Sequence, residues 1–125
     1  MLFTISGKVL NGNKIGRKLG YPTANLKIDQ TIALTDGVYV AQVLYENHLH
    51  DGVASVGQKP SIGGGAGRNL EVHIFDFSGD LYGRQIEVTL TEFIRPEKRF
   101  ATMEELKKQI EEDCAQARNI IKNRR

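Results

Sequence analysis

The sequence predicts a mainly β fold that ends in a single α-helix. Short runs of apolar and β-branched residues, separated by turn residues, recur over residues 1–101. Apolar and polar residues alternate most regularly over residues 85–93, as they do along a half-buried strand. Residues 102–123 instead show the three- and four-residue spacing of an amphipathic helix. Because short strands with frequent turns favour a sheet that protects its edges, we expect a closed antiparallel sheet.

Five strands are expected along the chain. They cover residues 3–10, 37–45, 48–56, 70–77 and 85–93. Glu46-Asn47 suits a tight turn between the second and third strands, and turn residues at 78–80 separate the last two. The glycine cluster at 62–68 lacks the spacing of a dinucleotide-binding loop and precedes no helical pattern, so a flexible hairpin connection is expected there.

The C-terminal helix has a defined start and an apolar stripe. Thr102 and Glu105 form a capping-box pair, and acidic residues early with basic residues late complement the helix dipole. The stripe consists of Met103, Leu106, Ile110, Cys114, Ala117 and Ile121. Such a stripe is more often core packing than a binding surface, so we expect the helix to pack against the sheet.

The segment before residue 26 carries the most specific chemistry. Glycines and cations crowd residues 7–18, where backbone N–H groups and basic side chains could hold phosphates. The run at 20–25 then places Thr23 and Asn25 two positions apart, on one face of an extended chain. Their neutral oxygens suit Mg²⁺ whose negative ligands come from a nucleotide. An ordinary solvated turn is the alternative on composition alone, because no GxxxxGK[ST] motif is present.

Composition and charge indicate one globular domain and restrict its partners. The chain has 125 residues, 40% hydrophobic and 26% charged, which is ordinary for a single domain. A net charge of +2 gives little support for nucleic-acid binding. The lone Cys114 favours a reducing compartment, and neither a signal peptide nor a long apolar run is present. We therefore expect a cytoplasmic protein that does not bind membranes.

Several blocks of the sequence, spread over nearly its full length, resemble the riboflavin kinase (flavokinase) family. The most specific block is Pro-Thr-Ala-Asn at 22–25 with the glycines before it. The others follow in the family's order: Gly37-Val38-Tyr39, Val56-Gly57-Gln58-Lys59-Pro60, Leu70-Glu71-Val72-His73-Ile74, Leu81-Tyr82-Gly83 and Arg95-Pro96-Glu97-Lys98-Arg99-Phe100. Ser55 and Ser61 depart from the family's usual Asn and Thr but keep small polar side chains.

The resemblance implies one riboflavin kinase domain over residues 1–125, with a small closed antiparallel Greek-key β-barrel and its loops at 1–101 and the helix at 102–123. It implies transfer of the γ-phosphate of ATP to the ribityl 5′-hydroxyl of riboflavin, giving FMN and ADP with Mg²⁺ as cofactor. The module is expected to be monomeric. Bacterial members join it to an FAD synthetase domain. No nucleotidyltransferase motif occurs here, so an excised module and a single-activity enzyme both stay open.

The same resemblance assigns residue roles. Glu71 corresponds to the general base for the ribityl hydroxyl, whereas the residues alone favour an exposed carboxylate at the start of a strand. Arg17 is an alternative to Lys18 as the phosphate contact. The resemblance assigns ATP binding to Gly12, Lys18, Thr23 and Tyr82, the metal to Thr23 and Asn25, and the flavin to Arg95, Lys98 and Phe100.

Two functions of other classes are kept as alternatives. A flavin-binding β-barrel without kinase activity would have no use for the Thr23/Asn25 pair. A small nucleic-acid-binding barrel would need a basic groove with stacking aromatic residues. Of the histidines, His48 and His50 share a strand face but lack a third ligand nearby in sequence, and His73 is expected to be a barrel-wall residue.

Overall fold

The secondary structure consists of strands followed by one long helix. A computed structural model describes residues 3–10, 19–29, 31–60 and 66–124, with only the backbone at 59, 60 and 66. Within these ranges the elements are β1 (Phe3–Lys8), β2 (Ala24–Ile28), β3 (Gly37–Tyr45), β4 (His48–Pro60), β5 (Ala66–Ile74), β6 (Gln85–Arg95) and α1 (Met103–Arg124). No helix within the described residues has the length and apolar character needed to cross a bilayer.

The strands form one antiparallel sheet with Greek-key topology. The order is β1-β6-β3-β4-β5-β2. Strands β3, β4 and β5 are successive neighbours, and β6 returns to lie beside β3, which is the Greek-key arrangement. At the open seam, the Leu10 N–H donates to the Asn25 carbonyl at 2.8 Å and links the chain after β1 to β2. The predicted fold, a small antiparallel barrel with one C-terminal helix, is confirmed, with closure that is nearly complete.

The strand predictions need several corrections. Strands β1, β4 and β6 end at Lys8, Pro60 and Arg95 rather than at residues 10, 56 and 93, and the predictions for β2 and β5 differ more. Strand β2 was not expected, although Leu26 and Ile28 are buried while Lys27 between them is exposed. Strand β5 begins at Ala66 rather than at residue 70, so Glu71 lies inside the strand and not at its start. It ends at Ile74 because the chain turns at Asp76, which has a φ of +54°. Phe77 is therefore not part of the strand.

The connections agree with the turn chemistry of the sequence. Glu46 and Asn47 have φ of +48° and +64° and join β3 to β4 as a two-residue hairpin turn, as predicted. The glycine-rich stretch connects β4 to β5, which pair as antiparallel neighbours, so its role as a hairpin connection is confirmed. Residues 66–68 of that stretch belong to β5, and residues 61–65 lie outside the described ranges.

Two apolar clusters lie on opposite sides of the sheet. The barrel interior holds the inward residues of each strand, for example Leu26, Leu70, Val72 and Val88, all at most 1% exposed. The second cluster lies between the outer face and the C-terminal half of α1, and its members are Val38, Val40, Val53, Phe75, Cys114, Ala117 and Ile121. The predicted packing of α1 on the sheet therefore holds for its C-terminal half. It is wrong for Met103, which is 46% exposed.

The start of α1 is fixed by the predicted capping pair. The Glu105 N–H donates to Thr102 Oγ1 at 3.1 Å. The Glu105 carboxylate accepts from the Ala101 N–H at 3.1 Å, one residue before the position that a standard capping box uses. The first bond satisfies an N–H group that the first turn of a helix cannot pair internally, and the second ties the residue before the cap to that turn, so together they set where the helix begins.

Arg68 fastens the segment before β3 to the barrel. Its buried guanidinium donates to Asp36 Oδ1 from Nε at 3.1 Å and from Nη2 at 2.8 Å. Nη1 donates to the Ile32 carbonyl at 2.8 Å, and Nη2 also donates to the Leu34 carbonyl. A buried cation with this many acceptors is fully paired, and it fixes the path along which the chain enters β3.

Arg68→Leu should lower the free energy of unfolding by about 2–4 kcal/mol, because two backbone carbonyls and a carboxylate lose their donor. Urea denaturation measures this loss. Arg84→Leu is the matched control, since the Arg84 side chain is exposed and its replacement should change the free energy of unfolding by about 0.5 kcal/mol or less. Equal losses in the two variants would contradict the role assigned to Arg68.

Candidate active site

The register of the sheet places five outward-facing residues in one row. Asn25 on β2 lies opposite Glu71 on β5, and Glu71 lies opposite Ser55 on β4. Ser55 lies opposite Val38 on β3, and Val38 lies opposite Arg95 on β6. Residues directly opposite each other in antiparallel strands project to the same face. The row therefore crosses five strands and presents a carboxylate, an amide, a hydroxyl and a guanidinium on one surface.

A cavity of about 270 Å³ lies between this row and the N-terminal half of α1. Its polar lining consists of Thr23, Ser55, Glu71, His73, Arg95, Glu97, Lys98 and Asp113. Its apolar lining consists of Tyr21, Val38, Val53, Ala54, Phe100, Leu106 and Ile110. A concave site with apolar walls and a few convergent polar groups is the form that small-molecule sites take.

One end of the cavity is built from the residues around β2 and Glu71. Thr23 and Asn25 lie on the outer side of the chain, because Ala24 and Leu26 between and after them are buried in the barrel. Asn25 is outside the cavity lining but lies directly opposite Glu71. Thr23 and Glu71 line the cavity and Asn25 is the cross-strand neighbour of Glu71, so a hydroxyl, an amide and a carboxylate lie on the same side of the sheet. This donor set fits a hard cation such as Mg²⁺ that shares its coordination with phosphate oxygens.

The other end of the cavity depends on an ion pair whose carboxylate is buried. Arg95 donates to Asp113 on α1 through Nε at 2.8 Å and Nη2 at 2.7 Å, a bidentate geometry. Asp113 is 5% exposed and also accepts from Gln109 Nε2 at 3.0 Å. Arg95 Cζ and Lys98 Nζ lie 6.0 and 5.8 Å from the centre of the Phe100 ring. The pair therefore ties β6 to α1, and two cations lie near one aromatic ring at this end of the cavity.

The Glu97 side chain lies against β4 at a glycine. A Cβ atom on Gly57 would come within 1.8 Å of Glu97 Oε1 and 2.4 Å of Glu97 Cδ. A side chain at residue 57 would therefore displace the Glu97 carboxylate from the strand. Gly57 therefore leaves room for the Glu97 carboxylate beside the cavity, which Glu97 lines.

The sequence of the chain matches one protein family over nearly its full length. The riboflavin kinase (flavokinase) family profile matches residues 1–121. The chain belongs to the riboflavin kinase family. The resemblance identified from the sequence blocks is thereby confirmed.

Several individual proteins are similar to this chain in sequence or in structure. The chain is 45% identical over 121 residues to the bifunctional riboflavin kinase/FMN adenylyltransferase of Escherichia coli K12, covering 95% of this chain and 38% of that protein. A solved structure of a macrolide-efflux protein from Streptococcus pneumoniae matches at 37% identity and a TM-score of 0.76, over 88% of this chain and 36% of that chain. The solved structure of riboflavin kinase from Trypanosoma brucei matches at 21% identity and a TM-score of 0.66, over 97% of this chain and 80% of that chain. This match supports the fold. This chain thus spans well under half the length of its E. coli relative.

The family's predicted site residues are brought together only in part. Thr23, Glu71, Arg95, Lys98 and Phe100 all line the same cavity. Tyr82 does not line it. Its side chain is 56% exposed, and its backbone N–H donates to Asp80 Oδ1 at 2.9 Å. The proposed phosphate contacts Gly12 and Lys18, with the alternative Arg17, lie outside the described residues.

Several cavity residues were not predicted from the sequence. Leu106 and Ile110 belong to the helical stripe that was interpreted as core packing, yet they line the cavity. Tyr21 packs at the same wall, where burial, and then Glu111 and Cys114, raise the pKa of its hydroxyl, so the group is neutral at physiological pH. Cys114 lies behind this wall, and burial raises the pKa of its thiol to about 11. A buried protonated thiol is a packing group and not a nucleophile.

Asp113→Asn should lower the free energy of unfolding by about 2–3 kcal/mol, because the half-buried Arg95 loses its counter-charge. Chemical denaturation measures the loss. Glu92→Gln is the control, since the Arg124–Glu92 contact is 3.4 Å long and largely exposed. That substitution should change stability by less than about 1 kcal/mol. An Asp113→Asn variant as stable as the control would show that the pair does not hold α1 to the barrel.

Proposed function

We propose that this chain is a riboflavin kinase domain that transfers the γ-phosphate of ATP to the ribityl 5′-hydroxyl of riboflavin, giving FMN and ADP. The observation that carries the proposal is the register of β2, β5 and β4. It sets Asn25 opposite Glu71 beside Thr23, at one end of a cavity with Phe100 at the other. The site therefore offers oxygen ligands and a base at one end and an aromatic wall at the other, and family membership supports the reaction.

The aromatic and aliphatic end suits the flavin ring system. Phe100, Leu106 and Ile110 supply apolar surface for a flat heteroaromatic ligand. Lys98 and Arg95 stand beside the Phe100 ring and could approach the polar edge of the flavin. Because Asp113 already engages two Arg95 nitrogens, the third, Nη1, which donates to the Pro96 carbonyl at 3.0 Å, is the nitrogen left to change partners.

Glu71 is the proposed general base. It lies in the middle of a strand paired on both sides, so its backbone is fixed. With the riboflavin ring against Phe100, the ribityl chain would extend along the row toward Glu71, which would accept the proton of the terminal hydroxyl. Phosphoryl transfer has a loose transition state, so orientation of the hydroxyl contributes as much as proton removal.

Thr23 and Asn25 are proposed to hold Mg²⁺, which when bound would neutralise charge on the transferring phosphates. Thr23 also contacts ATP in this proposal. Gly12, Lys18 and Tyr82 are proposed to bind the rest of the nucleotide. The exposed Tyr82 ring is available for stacking against a base, a contact that every nucleobase can make.

The proposal treats residues 1–125 as one kinase domain and concerns the kinase reaction alone. The E. coli relative is named for two activities, and this chain matches little more than a third of it. FAD synthesis therefore stays outside the activity proposed for these residues, and in a longer protein it would fall to a linked FAD synthetase domain. We also propose that the protein is cytoplasmic and that this domain is a monomer.

The direct test is incubation of the protein with riboflavin, ATP and Mg²⁺, followed by chromatography. FMN and ADP should appear in equal amounts and only when all three components are present. Binding of FMN without ATP-dependent turnover would overturn the proposal and indicate a flavin-binding barrel. Binding of single-stranded nucleic acid that weakens steeply with salt would instead indicate the third class of function.

Glu71→Gln should lower kcat by about 10²–10⁴-fold, because the amide keeps the volume of the side chain but cannot accept the proton. The KM values for riboflavin and Mg·ATP should change little, since the substitution removes an interaction of the transition state. Steady-state kinetics measure both parameters. Glu87→Gln is the control, as Glu87 lies on β6 away from the cavity lining. Wild-type turnover in Glu71→Gln would remove Glu71 from the mechanism.

A further inference from the structure

His73 holds the backbone immediately before Thr23. Its Nδ1 lies 2.9 Å from the Pro22 carbonyl oxygen. Since a carbonyl oxygen can only accept, Nδ1 carries the hydrogen. The neutral Nδ1–H tautomer and the imidazolium both make this bond, whereas the neutral Nε2–H tautomer does not.

Neighbouring side chains fix the orientation of the His73 ring. Tyr21 meets the ring edge-on at 5.4 Å and Phe75 meets it at 5.9 Å, with interplanar angles of 77° and 71°. Phe75 belongs to the cluster buried under α1. His73 itself pairs with Val53 in the β4–β5 ladder. The donor atom therefore has little freedom to move away from the Pro22 carbonyl.

The held carbonyl restricts the position of Thr23. The Pro22–Thr23 peptide is planar, so fixing its oxygen restrains the plane that contains the Thr23 N and Cα atoms, from which the side chain projects. Pro22 has its φ restricted by its ring, which removes another degree of freedom. Thr23 precedes Ala24, the first residue of β2, and so lies just before the sheet ladder that holds the rest of the strand. A side-chain bond at this point replaces the missing ladder contact.

We propose that His73 is a positioning residue that aligns Thr23 with Glu71 for phosphoryl transfer, an inference that rests on the proposed kinase function. His73 and Glu71 are two positions apart on β5 and share its outer face. One strand thus carries both the proposed base and the group that holds the phosphate-binding threonine. Strand β5 therefore sets the distance between Glu71 and the segment that carries Thr23.

Two substitutions separate this role from simple packing. Asn places an amide N–H near the position of Nδ1 and can still donate to the carbonyl, whereas Leu cannot. His73→Leu should lower kcat for FMN formation by about 100-fold, the cost of a displacement of about 1 Å in a reacting group. His73→Asn should lower kcat by less than about 10-fold, because its amide still holds the carbonyl and Thr23 is displaced less. The riboflavin KM should change less than kcat in both variants, because His73 acts through Thr23.

His50→Leu is the control, since His50 packs edge-on against Phe77 at 5.3 Å and lies outside the cavity lining. Its turnover should match that of the wild type. Equal kcat in the wild type and His73→Leu would overturn the inference, and so would His73→Asn as slow as His73→Leu. Absence of FMN formation by the wild type would instead reject the proposed function, so the two failures are distinguishable.

A spectroscopic measurement on the unmodified protein tests the bond independently of activity and of how the variants fold. Nitrogen-15 NMR of the imidazole should show a proton on Nδ1 of His73 across the neutral pH range. The backbone amide signal of Thr23 should respond to Mg·ADP in the wild type and respond less in His73→Leu. A neutral Nε2–H tautomer for His73 would contradict the proposed positioning role.

Discussion

The antiparallel register of the sheet is the constraint on which the site depends. The backbone hydrogen bonds between neighbouring strands place the residues of the row, from Asn25 through Glu71 to Arg95, opposite one another. Side chains alternate along a strand, so a register slip of one residue would turn the whole set into the barrel interior. The buried residues Leu70 and Val72, which flank Glu71, prevent such a slip because it would expose them. Core packing therefore fixes the geometry of the polar row.

Helix α1 uses one face for two purposes. Its C-terminal half is buried on the outer face of the sheet through Ala117 and Ile121, which gives the helix its attachment. Its N-terminal half stands away from the sheet far enough to leave the cavity, with Leu106 and Ile110 as a wall. The bidentate bond between Arg95 and Asp113 lies between the two halves and ties the middle of the helix to β6 beside the cavity. The C-terminal half of the helix thus contributes to stability, and the N-terminal half forms a wall of the cavity.

Most strands and the helix could be predicted from local sequence patterns. The site could not, because it depends on which residues the tertiary structure brings together. Alternation and turn chemistry predicted five of the six described strands, and the Thr102 capping pair predicted where the helix starts. Strand β2 was missed because Pro22 and the glycines before it suggested a loop that outweighed a short apolar alternation. The stripe on α1 could not show that Leu106 faces a cavity and Ala117 a core, since both have the same helical spacing. Nor can one sequence reveal register, which alone brings Asn25 opposite Glu71.

The central claim, that the row and the cavity form one kinase site, is tested most directly by a crystal structure of the protein with Mg²⁺, ADP and FMN. The metal should lie against the Thr23 and Asn25 side-chain oxygens. The FMN phosphate ester oxygen should lie within hydrogen-bonding distance of Glu71, and the flavin ring should lie against Phe100 between β6 and α1. A flavin bound elsewhere, or a metal with no contact to Thr23 or Asn25, would contradict the account.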